Sequence, residues 1–169
     1  MTAPGRAGLS APPSVVRVGM GEFRIAAPPQ RLLAYGLGSC VAVIVCDAAA
    51  RLCGLAHVML PGGDGASTST RFADVALERM VAELLGRGAA RERLVAKLVG
   101  GANMFPMLDG AGRRPIGERN VQAVRERLGR LGIPVVAADT GGSFGRTVEV
   151  DPASAATTVR SWHRPPLEL

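Results

Sequence analysis

Aromatic side chains are scarce in this chain: Phe, Trp and Tyr make up 4% of its 169 residues, with one Trp and one Tyr. Proteins that bind single-stranded nucleic acid stack bases on aromatic platforms, so the composition argues against that class. Cysteine is limited to Cys40, Cys46 and Cys53, and there are two histidines. An odd cysteine count without CxxC spacing indicates neither a zinc site nor a disulfide framework, and it fits a reducing, cytoplasmic setting. Cys46 and Cys53, set in apolar runs, read as small core side chains. No metal and no cofactor is expected. No stretch approaches the ~18 apolar residues of a membrane span, and Met1 to Ser14 has no apolar signal-peptide core, so neither membrane insertion nor export is expected.

Basic charge is in excess, +6 formally with a pI near 10.5. The excess is almost all arginine, interleaved with glutamate from Arg71 to Arg93 and from Arg113 to Arg130. Such interleaving reads as solvated helix faces rather than a polyanion site, and nucleic acid is not an expected partner.

Val, Ala, Leu and Gly abound instead, and 47% of the chain is hydrophobic, enough for one core and short for two. Residues 1–14 read as a disordered Pro- and Ala-rich arm, 15–162 as one domain and 163–169 as a tail. Strands are expected over Val15 to Met20, Phe23 to Ile25, Arg31 to Tyr35, Val41 to Cys46, Leu52 to Leu60, Leu94 to Val99 and Ile133 to Ala138. Thr147 to Val150 and Thr157 to Trp162 form a terminal hairpin. One helix, capped by Thr70, runs to Gly86; a second spans Gly117 to Leu131 with Val121, Val124 and Leu128 inward. The fold class is therefore α/β, a single domain with a mixed β-sheet and helices packed against it as an α/β sandwich.

Cys40 closes the run Gly36-Leu37-Gly38-Ser39-Cys40, and His57 lies on the next apolar segment. A thiol attacks as thiolate, and a nearby imidazole that takes its proton supplies that state, so Cys40 and His57 are the candidate catalytic pair. Register decides whether they meet, because a one-residue slip reverses the face of every side chain. If Cys46 opposes Cys53, Ala42 opposes His57 and Cys40 lies diagonal to it on the same face. If Asp47 opposes Ala50, Cys40 and His57 face each other directly. The intermediate register separates them.

These segments, with Ala-His-Val-Met-Leu-Pro at Ala56 to Pro61, Gly-Gly-Ala-Asn-Met-Phe at Gly100 to Phe105, Ile-Gly-Glu-Arg-Asn at Ile116 to Asn120 and Asp-Thr-Gly-Gly at Asp139 to Gly142, resemble the chemoreceptor glutamine deamidase family CheD. Each string is short; five in order are specific. The resemblance implies a protein-glutamine deamidase that converts glutamines in the cytoplasmic helical bundle of methyl-accepting chemotaxis receptors to glutamate. Cys40 is then the nucleophile, His57 the proton shuttle and a cysteine thioester the intermediate. A CheC-type phosphatase is a further partner that the family implies. The family's third catalytic residue, a threonine six positions before the cysteine, falls on Ala34. Three alternatives follow: the backbone carbonyl at 34 orients His57, Thr140 or Tyr35 substitutes, or catalysis is impaired. Two rival functions are a non-catalytic adaptor for receptors or the phosphatase, and a thiol hydrolase with another substrate.

Overall fold

The computed structural model describes residues 13–63, 65–104 and 114–169. Except for Pro13 and Ser14, the expected N-terminal arm lies outside the described residues. Twelve elements follow in chain order: β1 Val15–Arg17, β2 Phe23–Ala26, β3 Arg31–Leu37, β4 Val41–Asp47, β5 Leu52–Val58, α1 Ala73–Gly86, β6 Val95–Gly100, α2 Ile116–Arg130, β7 Val135–Thr140, β8 Arg146–Asp151, β9 Ala156–Ser161 and β10 Arg164–Glu168.

The strands divide between two five-stranded sheets rather than forming one: an outer sheet ordered β1-β3-β8-β9-β10 and a central sheet ordered β2-β5-β4-β6-β7. Both are mixed, since β1 pairs with β3 and β6 pairs with β7 in parallel while their other ladders are antiparallel. Alternation along β4 explains the layering. Val41, Val43 and Val45 meet Leu77, Met80, Leu84, Val124 and Leu128 of the helices. Ala42, Ile44 and Cys46 meet Leu32, Ala34, Val148, Val150 and Val159 of the outer sheet. The central sheet is therefore covered on both faces, which is why β4 and β5 are buried throughout and why their sequences carry no polar alternation. The result is an α/β sandwich of three layers, helices over central sheet over outer sheet.

Three local readings change. Thr70 does not cap α1; its hydroxyl donates to the Gly21 carbonyl at 2.5 Å, and the helix starts three residues later. The segment set apart as a tail forms β10, which pairs with β9 on the edge of the outer sheet. Cys46 and Cys53 are buried as expected but form a disulfide, which corrects their reading as packing alone. They are directly opposed across the β4–β5 hairpin with Cα atoms 4.2 Å apart, so register itself brings the two sulfurs together.

Candidate active site

The register of the hairpin is the first of the two that join the pair: Cys46 opposes Cys53 and Ala42 opposes His57. Cys40 stands two residues before Ala42 and one before β4, so strand parity makes it the diagonal neighbour of His57, about 7–8 Å away at the backbone, and its sulfur makes no hydrogen bond to the ring. His57 shares parity with Cys53 and Leu55, which face the outer sheet, so its ring enters the layer between the sheets. Its backbone is fixed from the other side, accepting from Gly21 N–H and donating to the Glu22 carbonyl, both at 2.9 Å.

His57 is 1% exposed, and Cys40, the free cysteine, is half-buried. Burial pushes the imidazole below its ordinary pKa and pushes the thiol above its own. Both shifts oppose charge, so burial favours the neutral thiol and the neutral imidazole over a thiolate–imidazolium pair. Neither ring nitrogen of His57 has a hydrogen-bond partner among the described residues. The Val18 carbonyl favours the imidazolium, but it lies outside good hydrogen-bonding geometry and burial outweighs it.

Ala34 is wholly buried in the layer between the sheets, on the side of β3 that faces the central sheet, and its methyl group offers His57 no hydrogen bond. Neither expected substitute fills its place. Tyr35 is 51% exposed and lies under Arg17 on the far face of the outer sheet. Thr140 lines a groove with Gly101, Val121 and Gln122 along α2.

The glycines near Cys40 have steric reasons. At Gly100, with φ of +113°, a Cβ would stand 2.3 Å from the Cys40 carbonyl oxygen. At Gly117, in the first turn of α2, it would stand 2.5 Å from the Gly101 oxygen and 2.6 Å from the Ala102 oxygen. Helix α2 therefore presses directly on Gly101 and Ala102, whose N–H groups hold the Cys40 and Gly38 carbonyls. Arg119 is exposed on that helix, whereas Asn120 is fully buried and donates to the carbonyls of Ser39 and Met59, both at 2.9 Å. The sequence leaves Asn120 either lining a pocket or tying loops by hydrogen bonds; the structure shows the tie and its two acceptors, on the apolar stripe Gly117, Asn120, Val124, Leu128.

A family model described as CheD chemotactic sensory transduction matches residues 59–161. A Geobacter metallireducens protein named "Probable chemoreceptor glutamine deamidase CheD 2" is 45% identical over 92% of this chain and 98% of its own length. The chain belongs to the CheD family. Other relatives agree in extent: a CheD protein of Geobacter sulfurreducens is 46% identical over 89% of the chain and 96% of its own length. The chemoreceptor glutamine deamidase CheD of Halalkalibacterium halodurans is 39% identical over 92% of the chain and 98% of its own length. The CheD family model begins at Met59, just beyond His57, so its match includes neither Cys40 nor His57. No helix of the described residues is long and apolar enough to cross a membrane.

Proposed function

We propose that this CheD protein is a chemoreceptor glutamine deamidase with Cys40 as nucleophile and His57 as proton shuttle. The observation that supports the reading is the register Ala42 opposite His57, from which strand parity puts position 40, one residue before β4, on the His57 side of the hairpin. Because burial favours the neutral pair, His57 acts as general base at the moment of attack. The Cys40 sulfur bonds to the side-chain carboxamide carbon of a receptor glutamine as its proton passes to His57. The imidazolium returns that proton to the departing nitrogen, which leaves as ammonia. Water, deprotonated by His57, then cleaves the thioester, releasing glutamate and the free thiol. The relatives' names support the substrate class, and the cytoplasmic helical bundle of the receptor, hence a cytoplasmic location for the enzyme, is the setting in which this reading places it.

One observation favours a second reading, an adaptor that binds receptors or a CheC-type phosphatase with a weakened site: neither nitrogen of His57 has a partner among the described residues. Loss of an orienting group lowers the rate of such a pair without removing the nucleophile. The test is peptide mass mapping of a receptor cytoplasmic fragment after incubation with wild type, Cys40→Ala and His57→Ala proteins. Glutamine-to-glutamate conversion by wild type alone supports the deamidase. No conversion, with the fragment still bound, supports the adaptor.

A further inference from the structure

Three consecutive carbonyls of the turn that carries the nucleophile are each held by a donor of the scaffold. The Gly38 oxygen accepts from Ala102 N–H at 2.8 Å, the Ser39 oxygen from the Asn120 carboxamide at 2.9 Å and the Cys40 oxygen from Gly101 N–H at 2.8 Å. In a planar trans peptide the N–H of the next residue points opposite to the carbonyl. Fixing the Gly38 and Ser39 oxygens toward Gly101, Ala102 and α2 therefore aims the N–H groups of Ser39 and Cys40 away from them. The Cys40 N–H, on the residue that bears the sulfur, is thereby turned away from Gly101, Ala102 and α2. A donor on the backbone of the attacking residue stands within reach of an oxygen carried by a carbon newly bonded to its sulfur.

Asn120 alone holds the middle carbonyl through a side chain. It is fully buried, and its second amide hydrogen goes to the Met59 carbonyl, two residues past His57. Both partners are carbonyl oxygens, which only accept, so the carboxamide nitrogen must face them and its oxygen must face away. That oxygen is buried without a partner. A leucine would fill such a place with no orphaned acceptor, so the donors of this side chain are its distinguishing contribution. One side chain thus ties the cysteine-bearing turn to the end of the histidine-bearing strand.

We infer that Asn120 is a positioning residue of the deamidation, and that it aims the Cys40 N–H, with the Ser39 N–H beside it, to form the oxyanion hole. The inference rests on the deamidase reading. As the sulfur–carbon bond forms, the carbonyl π pair moves onto oxygen, where these two N–H groups receive it. When the pair returns, the carbon–nitrogen bond breaks and ammonia leaves with the proton carried by His57.

The experiment measures kcat and KM on a receptor cytoplasmic fragment for wild type, Asn120→Ala and Asn120→Asp, together with alkylation of Cys40 by iodoacetamide. Alkylation passes through no oxyanion, so it separates donor aim from thiol integrity. The expected result is a kcat lower by roughly 10²-fold, the cost of a lost oxyanion donor. KM and the alkylation rate stay within about threefold of wild type. Asn120→Asp keeps the volume while replacing the donors, which guards against collapse of the alanine variant. A kcat within about threefold of wild type in either folded variant, or kcat and alkylation falling together, overturns the inference.

A second measurement needs no variant. Wild type labelled with nitrogen-15 at its three cysteines is treated with a glutamine-derived peptide aldehyde. The Cys40 thiol adds to the aldehyde carbon and its proton ends on the new hydroxyl oxygen. The Cys40 amide proton signal moves downfield while those of Cys46 and Cys53 stay. An unmoved Cys40 signal in the adduct overturns the inference even if both variants fail to fold. Absence of receptor deamidation by wild type, with the downfield shift present, sinks the deamidase reading and leaves the aim of the amide standing.

Discussion

Ala34→Thr, compared with Ala34→Val, isolates the one hydroxyl that the site lacks. Valine and threonine have nearly the same shape, so each forces the same extra volume into a position of 0% exposure and carries the same overpacking cost, about 1–3 kcal/mol. Their difference is a hydroxyl in the layer that holds His57. A buried hydroxyl without a partner destabilises by about 1–3 kcal/mol, whereas one that finds a partner contributes about 0.5–1.5 kcal/mol net. His57 offers two unpartnered nitrogens there. The threonine variant should therefore match the valine variant in stability or exceed it by about 1 kcal/mol, which for a chain of this size is about 2–4 °C in melting temperature. It should also turn over receptor glutamine faster than wild type and than Ala34→Val, because a hydroxyl on one imidazole nitrogen fixes tautomer and aim. Thermal denaturation and deamidation kinetics on a receptor fragment read both effects. A threonine variant that melts several degrees below the valine variant, with no gain in kcat, would refute the expectation that a hydroxyl at position 34 reaches His57.

Other consequences follow from the same geometry. Gly117→Ala puts a methyl group 2.5 Å from a backbone oxygen, where ordinary contact begins at 3.4 Å, so α2 must retreat by close to an ångström from Gly101 and Ala102. The expected cost is about 1–3 kcal/mol of stability, with kcat falling by more than an order of magnitude as the Cys40 turn loosens; an unchanged kcat counts against the rigid turn. Because burial lowers the His57 pKa, the imidazole stays neutral below its ordinary value of about 6.5, and the acid limb of kcat/KM lies below that pH. The unfolded chain takes up this proton at a higher pH than the folded one, so the His57 contribution to stability declines as pH falls below about 6.5. An acid limb above pH 6.5, or melts of wild type and His57→Gln that shift identically with pH, contradicts this. Under native conditions iodoacetamide should label Cys40 alone, with a rate still rising past pH ~8.5, since burial raises its pKa. Labelling of Cys46 and Cys53 should require reduction, and a reductant should lower the melting temperature, because opening a cross-link that spans seven residues removes about 2 kcal/mol. Peptide mapping showing all three cysteines equally labelled would overturn both statements.

The active hairpin was legible in the sequence because β-strand parity is strict. Once Cys46 faces Cys53, the positions of Cys40 and His57 follow without coordinates. The same apolar density hid the layering: β4 and β5 have core on both faces, so no alternation told which residues meet helices and which meet the outer sheet. The disulfide was missed because an odd cysteine count was weighed ahead of the register that opposes two of them. Asn120 could be read as lining a pocket or as tying loops, because its acceptors are carbonyls 81 and 61 residues away in the chain, and such partners leave no local signal. Ala34 was conspicuous as a departure, yet only the structure shows that both nitrogens of His57 lack a partner among the described residues.

Cys40, the proposed nucleophile, sits at the mouth of β4, the middle strand of the middle layer. An element so enclosed exchanges its amide hydrogens through opening of the whole molecule rather than by local fraying. Chemistry mounted there inherits the cooperativity of the entire domain. On warming, activity should vanish along the same curve as the tertiary signal, with no temperature window in which an intact shell encloses a dead centre.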